Sequence, residues 1–82
     1  MKIREVFARN LRRSRNARGL SQEALAHEAD MDRTYISSLE RGVYSASIDT
    51  VAKLAKVLGI EPDELLKRSS YASRRKSAPG NL

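Results

Sequence analysis

Apolar positions between residues 22 and 40 recur at helical spacing in two short stretches separated by a polar corner. The two inward faces are formed by Leu25, Ala26 and Ala29, and then by Ile36 and Leu39. In the corner, Asp30 can adopt a left-handed backbone and Asp32 can cap the following helix through its carboxylate. Met31 is then expected to point inward. Two short helices that meet across such a turn form a helix-turn-helix.

A further helix is predicted before this motif. Its apolar stripe consists of Ile3, Val6, Phe7 and Leu11, with arginines on its other faces. The dipeptide Arg18-Gly19 is typical of a helix end, because glycine accepts the left-handed cap that follows a basic last turn. Ser21 is the expected N-cap of the next helix.

Two more helices are predicted after the motif. Ser47 should cap a fourth helix that ends at Gly59, and its apolar face comprises Ile48, Val51, Leu54, Ala55 and Leu58. Pro62 favours the start of a fifth helix, with Leu65 and Leu66 buried. The sequence therefore predicts an all-α, five-helix domain over residues 1–66. The polar and basic residues 67–82 predict a mostly disordered tail.

Charge gives only weak support for a polyanionic partner. The net charge is +6, but residues 1–66 carry eleven Lys and Arg against ten Asp and Glu, a balance of +1. With no cysteine, disulfides and thiolate metal sites are excluded. No apolar run reaches the roughly 18 residues of a membrane span, and no signal peptide is visible, so we expect a cytoplasmic protein without a membrane partner.

Catalysis is not expected from this sequence. His27-Glu28 begins like a zinc-protease motif, but Met31 stands where the second histidine would be. No nucleophile elbow, phosphate loop or Cys/His cluster occurs, so we expect neither an enzyme nor a cofactor, metal or small-molecule ligand.

The polar face of the second motif helix, over about residues 33–40, suits a DNA groove. If Ile36 and Leu39 face inward, a helix of 3.6 residues per turn places four polar residues on the outside. These candidate base contacts are Arg33, Thr34, Ser37 and Ser38. An arginine can bind O6 and N7 of guanine with two hydrogen bonds. Asp32 could accept a hydrogen bond from a cytosine amine, although a capping role is favoured.

The candidate phosphate contacts are Gln22, Tyr35, Arg41, Tyr44 and Ser45. Of these, Arg41 and Tyr44 could instead be solvated loop residues.

Several of these residues match a known family. Gln22, Ala26, Met31, Ile36, Leu39 and the closing Glu40-Arg41-Gly42 resemble the phage-repressor and Cro type, or XRE family, of helix-turn-helix DNA-binding proteins. The resemblance runs from about Phe7 to Leu66 and implies a lambda-repressor-like fold. It also implies base contacts at Arg33, Thr34 and Ser38, and an ion pair between Arg15 and Glu40. Asp30 departs from the usual glycine, at a cost of about 1 kcal/mol of backbone strain.

Within this family, the run from Asp32 to Ser37 and the short ending after the fifth helix most resemble controller proteins of restriction-modification systems. The resemblance implies a transcription regulator of duplex DNA. Because a domain this small reads only a few base pairs, we expect a homodimer on a palindrome. With no small-molecule switch evident, its activity is expected to depend on its own concentration. Candidate dimer residues are Val57, Ile60, Leu65 and Leu66, each of which could belong to the core instead. The sequence is also compatible with a phage repressor, with an antitoxin or adaptor that binds a protein, and with a nonspecific nucleic-acid binder.

Overall fold

The structure is a computed structural model that describes residues 2–68. Over this range the chain forms α1 (Ile3–Ala17), α2 (Gln22–Glu28), α3 (Arg33–Glu40), α4 (Ile48–Leu58) and a final 3₁₀ turn (Pro62–Leu65). No strand occurs among these residues, as the sequence predicted. No helix in the described range is long and apolar enough to cross a membrane. Apart from Lys67 and Arg68, the predicted tail lies outside the described residues.

The prediction of a fifth α-helix is wrong, because Pro62–Leu65 is only a short 3₁₀ turn. The Asn10 side chain of α1 binds the end of this turn. Its Nδ2 donates to the carbonyl oxygens of Leu65, at 3.0 Å, and Lys67, at 2.7 Å. A side chain of α1 therefore holds carbonyl groups that a longer helix would bond to its own backbone.

Side-chain caps begin α2, α3 and α4 as the sequence predicted. Ser21 Oγ accepts from the Ala24 amide at 2.9 Å, Asp32 Oδ1 from the Thr34 amide at 2.7 Å, and Ser47 Oγ from the Thr50 amide at 3.0 Å. In the corner between α2 and α3, Asp30 has a φ of 57°. This left-handed residue lets the chain reverse so that α3 begins at once after α2.

The core lies where α1, α2, α3 and α4 meet. Its fully buried side chains include Leu11, Leu25, Ile36, Leu39 and Leu54, and Met31 packs against them. Three residues predicted to lie inside are instead exposed: Ile3, Ile48 and Leu66. Ile3 and Ile48 are the first residues of their helices, and helical side chains lean toward the N-terminus. The side chains of Ile3 and Ile48 therefore project past the N-terminal ends of α1 and α4, beyond the part of each helix that packs on the core.

Candidate nucleic-acid interface

The outer face of α3 presents guanidinium and hydroxyl groups to solvent. Arg33 and Thr34 are exposed and Ser37 is half-buried. On the opposite face, Ile36 and Leu39 are fully buried and hold α3 against the rest of the domain. The Asp32 cap fixes the start of α3 immediately before Arg33. The first turn of α3 is therefore exposed on its outer side while its inner face stays packed.

Ser38 does not belong to this outer face. It is only 6% exposed. Two positions along a helix lie nearly opposite each other, so the period alone turns Ser38 away from Ile36. Its burial therefore comes from the segments packed around it and not from its position on α3. The predicted base contact from Ser38 therefore conflicts with the burial of its side chain. Of the two serines, only Ser37 shares the outer face with Arg33 and Thr34.

A partly buried ion pair joins α1 to the end of α3. Arg15 Nε donates to Glu40 Oε2 at 2.6 Å and Nη2 donates to Oε1 at 2.9 Å, with side-chain exposures of 12% and 3%. The hydrogen bond to Glu40 raises the pKa of Arg15 above its ordinary value, against the lowering effect of burial. Arg15 Nη1 and Arg12 Nη2 also donate to the carbonyl oxygens of Leu20 and Glu40. These bonds fix α3 relative to α1.

Gln22, the first residue of α2, extends this network toward the outer face. Its Nε2 donates to Glu40 Oε1 at 3.1 Å, and its Oε1 accepts from Arg33 Nη1 at 3.4 Å. A continuous chain of side-chain bonds therefore runs from Arg15 through Glu40 and Gln22 to Arg33. The sequence pattern indicated the ion pair only by resemblance and gave no sign of the link between Gln22 and Arg33, which depends on how α2 and α3 cross.

The remaining candidate phosphate contacts cluster after α3. Arg41, Tyr44 and Ser45 are exposed in the segment that follows the helix. Gly42 has a φ of 73°, which lets this segment turn away from the helix axis. Tyr35 is half-buried, and its ring centroid lies 6.4 Å from that of Tyr44 at an interplanar angle of 37°. The two aromatic rings bring the side of α3 and the loop after it into one surface.

Residues 2–68 contain no group of three His, Cys, Asp or Glu side chains arranged to hold a metal ion.

A profile of helix-turn-helix domains matches residues 11–65, which span α1 from Leu11 through the final 3₁₀ turn. This match includes the whole of α2, the corner and α3. The chain belongs to the XRE family of helix-turn-helix transcription regulators.

The similar proteins refine this assignment. The chain is 45% identical to Control protein C.BamHI of Bacillus amyloliquefaciens over 65 residues, covering 78% of this chain and 80% of that protein. It is also similar to the crystal structure of the restriction-modification controller protein C.AhdI from Aeromonas hydrophila. That match has 45% identity and a TM-score of 0.73, and covers 76% and 94% of the two chains.

A third similar structure is that of SinR, the master regulator for biofilm formation, in complex with DNA. It has 29% identity and a TM-score of 0.72, with coverage of 74% and 98%. The chain is therefore an XRE regulator whose close homologues include restriction-modification control proteins. These homologues are transcription regulators and not enzymes.

The four candidate dimer residues of this XRE-family chain differ in how far their side chains are buried. Leu65 is fully buried, so its prediction as a dimer contact conflicts with its place in the core. Val57 and Ile60 are half-buried and pack against the core. Leu66 is 42% exposed and directly follows the 3₁₀ turn. Of the four candidates, Leu66 has the most exposed side chain.

Proposed function

We propose that this XRE regulator binds duplex DNA sequence-specifically as a homodimer, with α3 in the major groove of each half of a palindromic operator. The observation that carries the proposal is the exposed first turn of α3, where Arg33 and Thr34 stand at the helix start. Base-reading helices of this kind contact base edges through their N-terminal residues. SinR, a similar fold, is bound to DNA in its structure.

Arg33 is the residue proposed to set base preference. A guanidinium that bonds O6 and N7 of guanine discriminates against other bases by about 1–3 kcal/mol, or roughly 5- to 150-fold in affinity. Thr34 offers a hydroxyl and a methyl group, which suits thymine, and Ser37 offers a second hydroxyl. Small polar side chains of this kind favour groove contact over a protein interface, whose core prefers aromatic residues.

Phosphate contacts are proposed on both sides of α3. Gln22 begins α2, before α3 in the chain, and is proposed to contact one strand. The residues proposed to contact the other strand follow α3 and are Arg41, Tyr44 and Ser45. Tyr35, beside Tyr44, completes the second group. Contacts of this kind fix the register of a protein on DNA but carry no base preference.

The homodimer follows from the small size of the reading surface. One short helix reads only a few base pairs, so two copies on half-sites about 34 Å apart supply the needed specificity. The exposed Leu66 is proposed as a central contact between subunits, with Val57 and Ile60 beside it. Sedimentation of the wild-type protein and of the Leu66→Arg variant tests this step. A wild-type protein that is monomeric at tens of micromolar, with or without operator DNA, would exclude it.

Selection of bound sites from random duplexes tests the function as a whole. We expect an inverted repeat, and we expect Arg33→Ala to lose the preference at one symmetric base pair. Lys53→Ala is the matched control, because it removes one exposed positive charge from α4 while leaving the α3 face intact. It should retain the full preference. A wild-type protein without base preference at any salt concentration would refute sequence-specific binding.

A further inference from the structure

We propose that Asn10 is a positioning residue for dimerisation, because its side chain fixes the backbone that carries Leu66. This inference rests on the proposed function, in which Leu66 is a central contact between subunits. Asn10 belongs to α1, whereas Leu66 directly follows the 3₁₀ turn at the other end of the folded domain's sequence. Asn10 Nδ2 donates to the carbonyl oxygens of Leu65, at 3.0 Å, and of Lys67, at 2.7 Å. These two hydrogen bonds carry the inference.

The two bonds bracket Leu66 in the chain. A primary amide nitrogen carries two N–H donors, so the Asn10 amide can supply one to each carbonyl group. Between them, the Leu66 backbone amide donates to the Asp63 carbonyl oxygen at 2.9 Å. The backbone is therefore held by α1 on both sides of Leu66, and by the 3₁₀ turn at Leu66 itself.

The two leucines of this segment differ in what fixes them. Leu65 is fully buried, so core packing holds it in place without help from Asn10. Leu66 is 42% exposed and lines a groove of about 300 Å³ together with Ile3 and Phe7 of α1. A partly exposed leucine is held less firmly by packing, so its position depends more on where its backbone is attached. Removal of the Asn10 amide should therefore leave the core intact and loosen the attachment of Leu66 to α1.

The expected effect follows from the cost of ordering a backbone segment. Fixing the backbone of one residue opposes association by a factor of roughly 5 to 30 in affinity. With Asn10 in place, Leu66 is fixed before the subunits meet. Without Asn10, this cost is incurred when the dimer forms. We expect Asn10→Ala to raise the Kd of the dimer by a factor in this range.

Two measurements on the 82-residue chain test the proposal. The first is the Kd of the dimer without DNA, by sedimentation equilibrium. It should rise in Asn10→Ala, but the same change in a Leu66→Ala background should leave it unaltered, because no leucine side chain remains to be positioned. The second is the exchange of the Leu66 amide hydrogen with solvent, by fragmentation mass spectrometry at a concentration low enough for monomers. This exchange should be faster in Asn10→Ala.

A second variant and a matched control accompany these measurements. Alanine is a good helix former, so Asn10→Ala keeps α1 helical. Asn10→Asp keeps the shape of the side chain but, as a carboxylate, has no donor for the two carbonyl groups, and it should also raise the Kd. Asn16→Ala is the control, because Asn16 is an exposed asparagine of the same helix, and it should change neither the Kd nor the exchange rate.

Several outcomes would overturn the inference. If both Asn10 variants keep the wild-type Kd, or if Asn10→Ala raises it equally in the Leu66→Ala background, Asn10 does not act through Leu66. An unaltered exchange rate of the Leu66 amide also refutes the proposal. A wild-type protein that stays monomeric refutes the proposed homodimer instead, and the exchange rate still decides whether Asn10 holds this segment.

Discussion

Replacing Glu40 by alanine tests whether the buried ion pair sets the stability of the domain. The Glu40 carboxylate accepts two hydrogen bonds from Arg15 and one from Gln22, with distances between 2.6 and 3.1 Å. Its removal leaves the Arg15 guanidinium without its anionic partner. An arginine guanidinium keeps its proton over the whole working pH range, so Arg15 stays charged in the variant and cannot escape by losing its proton.

The expected loss is about 3 kcal/mol, the low end of the range for breaking a buried ion pair from one side. The low end applies because the Arg15 side chain retains 12% exposure, so some water can reach it. Arg15 Nη1 also keeps its 2.8 Å bond to the Leu20 carbonyl oxygen. For a domain of this size, the loss corresponds to a fall in Tm of roughly 12–24 °C.

Urea unfolding followed by circular dichroism, at one fixed protein concentration, measures this loss. Glu28→Ala is the matched control, because Glu28 is an exposed glutamate of α2, and it should change the free energy of unfolding by less than about 0.5 kcal/mol. The double variant Arg15→Met with Glu40→Met should be more stable than Glu40→Ala, since it leaves no unpaired buried charge. A loss below about 0.5 kcal/mol in Glu40→Ala would show that the ion pair contributes no more than a surface pair.

Three further predictions concern local stability, each measured by urea unfolding. Asp32→Ala should lower the free energy of unfolding by about 1 kcal/mol, because α3 loses its cap, whereas Asp32→Asn should lower it little. Equal losses in the two variants would contradict the capping role. Asp30→Gly should stabilise by up to about 1 kcal/mol, because the φ of 57° strains a residue with a Cβ, and a loss of stability would contradict this. Ile48 is 86% exposed, so Ile48→Ser should change the free energy of unfolding by less than about 0.5 kcal/mol. Leu54 is fully buried, so Leu54→Ala should lower it by about 2–5 kcal/mol. Similar values for the two variants would contradict the burial pattern.

The sequence determined those features that depend on local spacing and local chemistry. The caps at Ser21, Asp32 and Ser47 need only a side-chain oxygen within three residues of a free amide. The inward faces of α2 and α3 follow from helical periodicity. The outward direction of Arg33 and Thr34 follows from the same period. All of these were predicted because each involves residues of a single helix or its first turn.

Tertiary structure decided the features that depend on how the elements meet. Asn10 binds the end of the final turn from 55 residues away in the chain, a contact that no local pattern could show. Ser38 became buried, and Ile48 exposed, according to how the neighbouring elements pack. The bond from Arg33 to Gln22 likewise depends on the crossing of α2 and α3. A helical period gives the direction of a side chain, but only the packed neighbours determine what it meets.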